Sequence, residues 1–122
     1  MANQCETYKV SVYMGLQEGY DGTQHHWKEA VRWIRTYVDE VGLGVTVTPT
    51  EFVYTDGNES GVIVGLIQYP RFPKPQSEID EHAVKIAKLL MEAFSQERCT
   101  IETPTVSYLL EREENVDTET DG

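Results

Sequence analysis

Residues 44–75 constrain the fold of this chain more than any other stretch. They read as a β-rich run, a turn signal at Asp56-Gly57-Asn58, and a second β-rich run. The second run holds Val62-Ile63-Val64-Gly65-Leu66-Ile67, the most continuously apolar segment of the sequence. A strand apolar on both faces belongs inside a sheet, so this segment is expected to be the central strand of a single sheet. Pro49, in the first run, has no N–H to give a ladder and predicts an edge strand. The rest of the chain must fold around this hairpin.

On its N-terminal side, Tyr8, Val10, Val12 and Met14 alternate with Lys9, Ser11 and Tyr13, which predicts a half-buried strand. Trp27, Val31, Ile34, Val38 and Val41 then recur at helical spacing, with Thr23 as the expected N-cap and Gly42 as the stop. After the hairpin, residues 69–75 carry three prolines and cannot be helical. Ser77 is expected to open a second helix with Ile79, Ala83, Ile86, Leu90, Ala93 and Phe94 on its apolar face. Cys99–Ile101 and Val106–Leu110 read as one last strand interrupted by Pro104. This gives one domain over residues 1–110 and an acidic, solvated tail over residues 111–122.

The order is therefore β-α-β twice, and the recurrence of Thr48-Pro49-Thr50 as Thr103-Pro104-Thr105 supports two equivalent halves. Across roughly residues 8–110 the chain resembles the ferredoxin-like (α/β-plait) superfamily, in topology and without a family motif. The resemblance implies an α+β fold, a ferredoxin-like βαββαβ sandwich. Its four-stranded antiparallel sheet would carry two helices on one face. On this reading the first and third strands are parallel neighbours whose C-terminal ends lie side by side, and Pro49 and Pro104 mark the two edge strands. The fold hosts enzymes, sensors, carriers and RNA binders, so it does not select a function.

The formal net charge of −11 disfavours binding to a nucleic-acid backbone or an anionic membrane surface. No run approaches the ~20 apolar residues that span a bilayer, and the N-terminus lacks the features of a signal peptide, so a cytoplasmic protein is expected. Cys5 and Cys99 are expected to be free thiols. No CxxC or Cys/His spacing suggests zinc, and neither a metal nor a cofactor is expected.

The expected topology brings loops 17–24 and 69–76 together beside two helix N-termini. Tyr20, His25, His26, Tyr69, Arg71 and Lys74 would then surround an anionic small molecule, a nucleotide or metabolite. Glu51, Tyr54 and Asp56 could supply acid or base groups, but their spacing does not distinguish a site from a solvated strand face. The sheet face away from the helices would carry Ile63, Ile67 and Tyr69 and needs cover, which predicts a homo-oligomer. The leading expectation is a non-enzymatic, homo-oligomeric binding protein. One alternative is a small cofactor-independent enzyme with His25 or His26 as acid/base. A second is an acidic protein-interaction or inhibitor module.

Overall fold

The computed structural model describes residues 2–19 and 22–112. Five strands and two helices follow one another as β1 (Lys9–Gly15), α1 (Trp27–Val41), β2 (Thr46–Tyr54), β3 (Gly57–Ile67), α2 (Gln76–Ala93), β4 (Arg98–Glu102) and β5 (Ser107–Glu111). They form one antiparallel sheet in the order β2-β3-β1-β4-β5. This overturns the expected four-stranded ferredoxin-like βαββαβ arrangement.

The difference arises at Pro104. Read as an interruption of one strand, it instead occupies a tight turn between two. The Thr103 hydroxyl accepts the backbone N–H groups of Thr105 at 3.3 Å and Val106 at 3.0 Å, and the Thr103 N–H donates to the Val106 carbonyl at 2.8 Å. A threonine that satisfies the turn in this way lets the chain reverse where proline denies it a ladder bond. Cys99 then pairs with Leu110, and Ile101 with Tyr108. The edge strand on this side is β5, and Pro104 lies in no strand. The Thr-Pro-Thr repeat is thus one tripeptide in two settings, an edge strand at Pro49 and a turn at Pro104.

The hairpin forms as expected. Tyr54 pairs with Gly57 across a two-residue loop, and Asp56 takes the left-handed conformation with φ 63° that such loops demand. Its second strand, β3, is interior, but the centre of the sheet is β1. Val62, Val64 and Leu66 of β3 are buried on the helix side with Val10, Val12, Met14 and Ile101. On the other face Ile63 is half-buried and Ile67 is 39% exposed, so β3 is buried on one face rather than both.

Both helices cover the same side. From α2, Ile79, Ala83, Ile86, Ala87, Leu90 and Met91 enter the core, followed by Phe94. From α1 only Ala30 and Ile34 are fully buried. Helix α1 starts three residues later than its Thr23 cap would place it. His26 is the N-cap, with its Nδ1 accepting the Lys28 N–H at 3.1 Å while Glu29 reaches back to the His26 N–H at 2.9 Å. This is a capping box in which imidazole takes the part usually played by a hydroxyl. Gly42, at φ 72°, ends the helix in the left-handed conformation that glycine adopts without penalty.

Candidate functional site

Antiparallel pairing of β1 with β3 decides which residues can meet. Lys9 faces Ile67 at one end and Gly15 faces Gly61 at the other. The loop that leaves β1 and the loop that leaves β3 therefore emerge at opposite ends of the sheet, about 20 Å apart at strand rise. The expected convergence of the two loops does not occur within one chain. His25 and His26 lie at one end, and Tyr69, Arg71 and Lys74 at the other. Tyr20 lies outside the described residues, as do residues 113–122 of the expected acidic tail.

At the His25 end a groove of about 630 Å³ opens between the start of α1 and the β2–β3 hairpin. Leu16, Gln24, His25, His26 and Trp27 form one wall, and Pro49, Thr50, Glu51, Ser60 and Gly61 the other. Hairpin register builds the second wall. Glu51 pairs with Ser60 and Thr50 with Gly61, which puts the Glu51 carboxylate and Ser60 hydroxyl on the helix side, facing the groove. Glu51 accepts hydrogen bonds from the Asn58 amide and, at 3.3 Å, from Ser60. Gly61 is needed where it stands, because a Cβ there would lie 2.1 Å from the Phe52 ring and 2.7 Å from the Met14 carbonyl.

The two adjacent histidines have opposite chemistry. His26 accepts at Nδ1, which leaves Nε2 as its ring donor, and its ring stacks on Trp27 with centroids 6.1 Å apart. His25 has a carboxylate at each nitrogen, with Nε2 2.6 Å from Glu18 and Nδ1 2.9 Å from Glu29. Its ring rests 4.8 Å from the Phe94 ring, and its side chain is 14% exposed. Burial pulls the His25 pKa down, but the bonds to Glu29 and Glu18 outweigh it and the net shift is upward. Glu29 is held below the usual carboxylate range by the His26 backbone N–H and then by His25.

At the opposite end a second cavity of about 590 Å³ is lined by Leu43, Leu66, Ile67, Tyr69, Phe72, Lys74 and Ile79 among others. Its strap, residues 69–75, is pinned by Gln68. That side chain donates to the Lys74 carbonyl at 2.7 Å and accepts the Lys74 N–H at 2.6 Å. Arg71 lies 5.3 Å from the centre of the Phe72 ring, and Lys74 is 3.7 Å from Glu78. Beside it, Tyr8 donates to Asp80 at 2.7 Å, and burial followed by that bond pushes its pKa up to about 12.

Among the described residues no group of three or more His, Cys, Asp or Glu side chains is placed to hold a metal ion, and no helix is long and apolar enough to cross a membrane. Cys5 and Cys99 are free thiols, and burial pushes the Cys99 pKa up to about 11, which removes it from nucleophilic chemistry near neutral pH.

Sequence reasoning missed Glu18 as a partner of His25 and did not separate Glu51 from its exposed neighbours. The second was within reach. A two-residue turn at Thr55-Asp56 fixes Glu51 opposite Ser60, and that register also decides the face.

No protein-family model matches the chain, and no curated protein sequence matches it. Among solved structures the fold is similar to a phage SAM lyase in complex with S-methyl-5'-thioadenosine. The TM-score is 0.72 at 19% identity, covering 93% of this chain and 95% of that one. A phage SAM lyase in its apo state matches with TM-score 0.69 at 18% identity, over 88% of this chain and 90% of that one. At these identities the likeness shows a shared fold.

Proposed function

We propose that this protein binds a nucleoside-bearing sulfonium of the S-adenosylmethionine class and cleaves it as a lyase at the groove between α1 and the hairpin. The observation that carries this reading is the near end-to-end fold match to a lyase structure that holds S-methyl-5'-thioadenosine. It replaces the non-enzymatic binding protein expected from sequence. The groove's composition suits such a ligand. Trp27 and His26 offer flat aromatic surface for a purine, and the carboxylate of Glu51, held by Asn58 and Ser60, can accept ribose hydroxyls. A chain of net charge −11 also attracts a ligand with a cationic sulfur.

In an elimination the C–S bond breaks with its electron pair passing to sulfur, while the carbon next to the released one gives up a proton to solvent and the C–H pair forms a C=C bond. The sulfonium becomes a neutral thioether, so positive charge is lost on the way to the transition state. A carboxylate held against the sulfur would stabilise the substrate more than the transition state and would slow the step. Glu51 is therefore better used on the nucleoside than beside the sulfur. Of the two histidines, His26 is the one with a ring N–H, at Nε2, available to donate to a ligand, since both nitrogens of His25 are engaged.

Titration calorimetry with S-methyl-5'-thioadenosine, together with chromatography for its release from S-adenosylmethionine, tests the reading. Binding and release are expected, and Glu51→Gln should weaken binding about tenfold. No binding at millimolar ligand and no release would overturn it.

Two observations support separate assignments. The second cavity joins an apolar lining to Lys74, which favours an amphipathic anion at Tyr69, Arg71 and Lys74. The uncovered sheet face, which also carries Ile63, exposes Ile67 (39%) on β3 and Leu109 (54%) on β5, which favours assembly of copies through that face, with Tyr69 just beyond the strand end. Light scattering that returns a monomeric mass at micromolar concentration would sink the second.

A further inference from the structure

We infer that His25 is a positioning residue for the groove. Clamped as an imidazolium between Glu18 and Glu29, it locks the wall that carries Gln24, His26 and Trp27 and thereby sets ligand affinity. The inference takes the identity of the ligand from the proposed function; the clamp itself stands on geometry.

The protonation state follows from the partners. A neutral imidazole has one N–H and one lone pair. With carboxylate oxygens at 2.6 Å and 2.9 Å from its two nitrogens, a neutral ring would set one lone pair against another at hydrogen-bond distance. Both contacts are attractive only when both nitrogens are protonated. The clamp also ties three pieces of chain together, since Glu18 belongs to the loop after β1, Glu29 to the first turn of α1, and Phe94 to the end of α2. The loop closes on itself at the same place. The His25 N–H donates to the Leu16 carbonyl at 2.7 Å and the Glu18 N–H to the Thr23 carbonyl at 2.9 Å.

The carboxylates that face the ring favour the cation against the cost of its burial. Glu18 faces it from the loop and Glu29 from α1, with Arg32 acting on Glu29 from behind. Phe94 supplies an uncharged floor from α2, the neighbouring His26 is committed to its own cap, and Glu51 stands across the groove on the hairpin. Loss of the second proton would leave at least one carboxylate without its bond, partly buried, and the wall would open. A ligand that binds the closed wall binds the protonated protein better, so affinity must fall as pH rises.

The experiment uses the full chain. The His25 and His26 ring signals are titrated by NMR, and S-methyl-5'-thioadenosine affinity is measured by calorimetry from pH 6 to 9 in the wild type, H25Q and E18Q. His25 is expected to titrate above the ordinary histidine value, and affinity to fall about tenfold across its midpoint, the equivalent of one pKa unit of coupling. E18Q should move that midpoint down, and H25Q should bind weakly with no such step. If His25 titrates at or below the ordinary histidine value of about 6.5, or if H25Q keeps the wild-type affinity and pH profile, the inference is overturned. Should the wild type bind no S-methyl-5'-thioadenosine at any pH, the proposed function fails and the clamp is judged on amide exchange at Glu18 and His25. Corrected for intrinsic rates, protection should drop about tenfold above the His25 midpoint; unchanged protection overturns the clamp.

Discussion

The loop that leaves β1 and the loop that leaves β3 are fastened by different chemistry. The first is held by an ion triad, Glu18–His25–Glu29, over the Phe94 ring. The second is held by one neutral amide, Gln68, which grips both sides of the Lys74 peptide. An amide keeps its donors and acceptor at every ordinary pH, whereas an imidazole between two carboxylates holds only while it carries two protons. One end of the sheet is thus fixed and the other conditional. The conditional end is also the one with the acidic, aromatic groove, while the fixed end encloses an apolar cavity.

The largest effect should come from removing the floor that the conditional end shares with the core. Phe94 is fully buried, and Phe94→Ala should cost about 3–5 kcal/mol in chemical denaturation. Burial against Phe94 pulls the His25 pKa down while Glu29 and Glu18 pull it up, so with both carboxylates still in place the ring should titrate higher in the same variant. A variant that unfolds with wild-type midpoint would show that the two are not mechanically joined. Next, Gln68→Ala should cost about 1–3 kcal/mol, because it leaves the Lys74 N–H and carbonyl without their partners. That cost should be the same at pH 6 and pH 9.

His25→Gln should cost about 1–2 kcal/mol at pH 6, and here the sign of the pH dependence matters. The folded-state pKa of His25 is raised above its unfolded value. Its contribution is therefore complete below the unfolded value of about 6.5 and is lost as pH rises through the folded value. The stability gap between wild type and H25Q should close with rising pH while the Gln68→Ala gap stays constant. Parallel behaviour of the two gaps would dissolve the distinction between the ends. The smallest effect belongs to Lys74→Ala. Its pairing with Glu78 at 3.7 Å is partly solvated, with side-chain exposures of 29% and 41%, and should be worth less than about 0.5 kcal/mol. A larger loss, sensitive to salt, would mean that the strap is held by charge after all.

Much of this architecture could be read from the sequence, and the failures have definite causes. Alternation found β1, helical spacing found both helices, and the turn signal at Asp56-Gly57 found the hairpin. Pro104 was misjudged because proline breaks a ladder equally well by ending a strand or by turning it, and the deciding hydroxyl, Thr103, acts through geometry that no periodicity reveals. The candidate site failed for a different reason. A parallel pairing of β1 with β3 would put Arg71 and Lys74 at the same end as His25, and the antiparallel ladder puts them at the other. Glu29 was visible as the residue one helical turn from His25. Glu18 and Phe94 were not, since one reaches His25 by a loop reversal and the other across the fold.

The close approach of Phe52 to Gly61 has a wider consequence. Side chains alternate faces along a strand, so sliding β2 by one residue against β3 would move Glu51 to the uncovered face and bring Phe52 toward the helices. Gly61 is the only interior glycine of β3 that the Phe52 ring covers, and a ring that fits over one residue alone works as a key in a keyway. What looks like a packing detail on the back of the sheet therefore indexes the front. The groove keeps its carboxylate because, on the opposite face of the same sheet, an aromatic ring has a single place to lie.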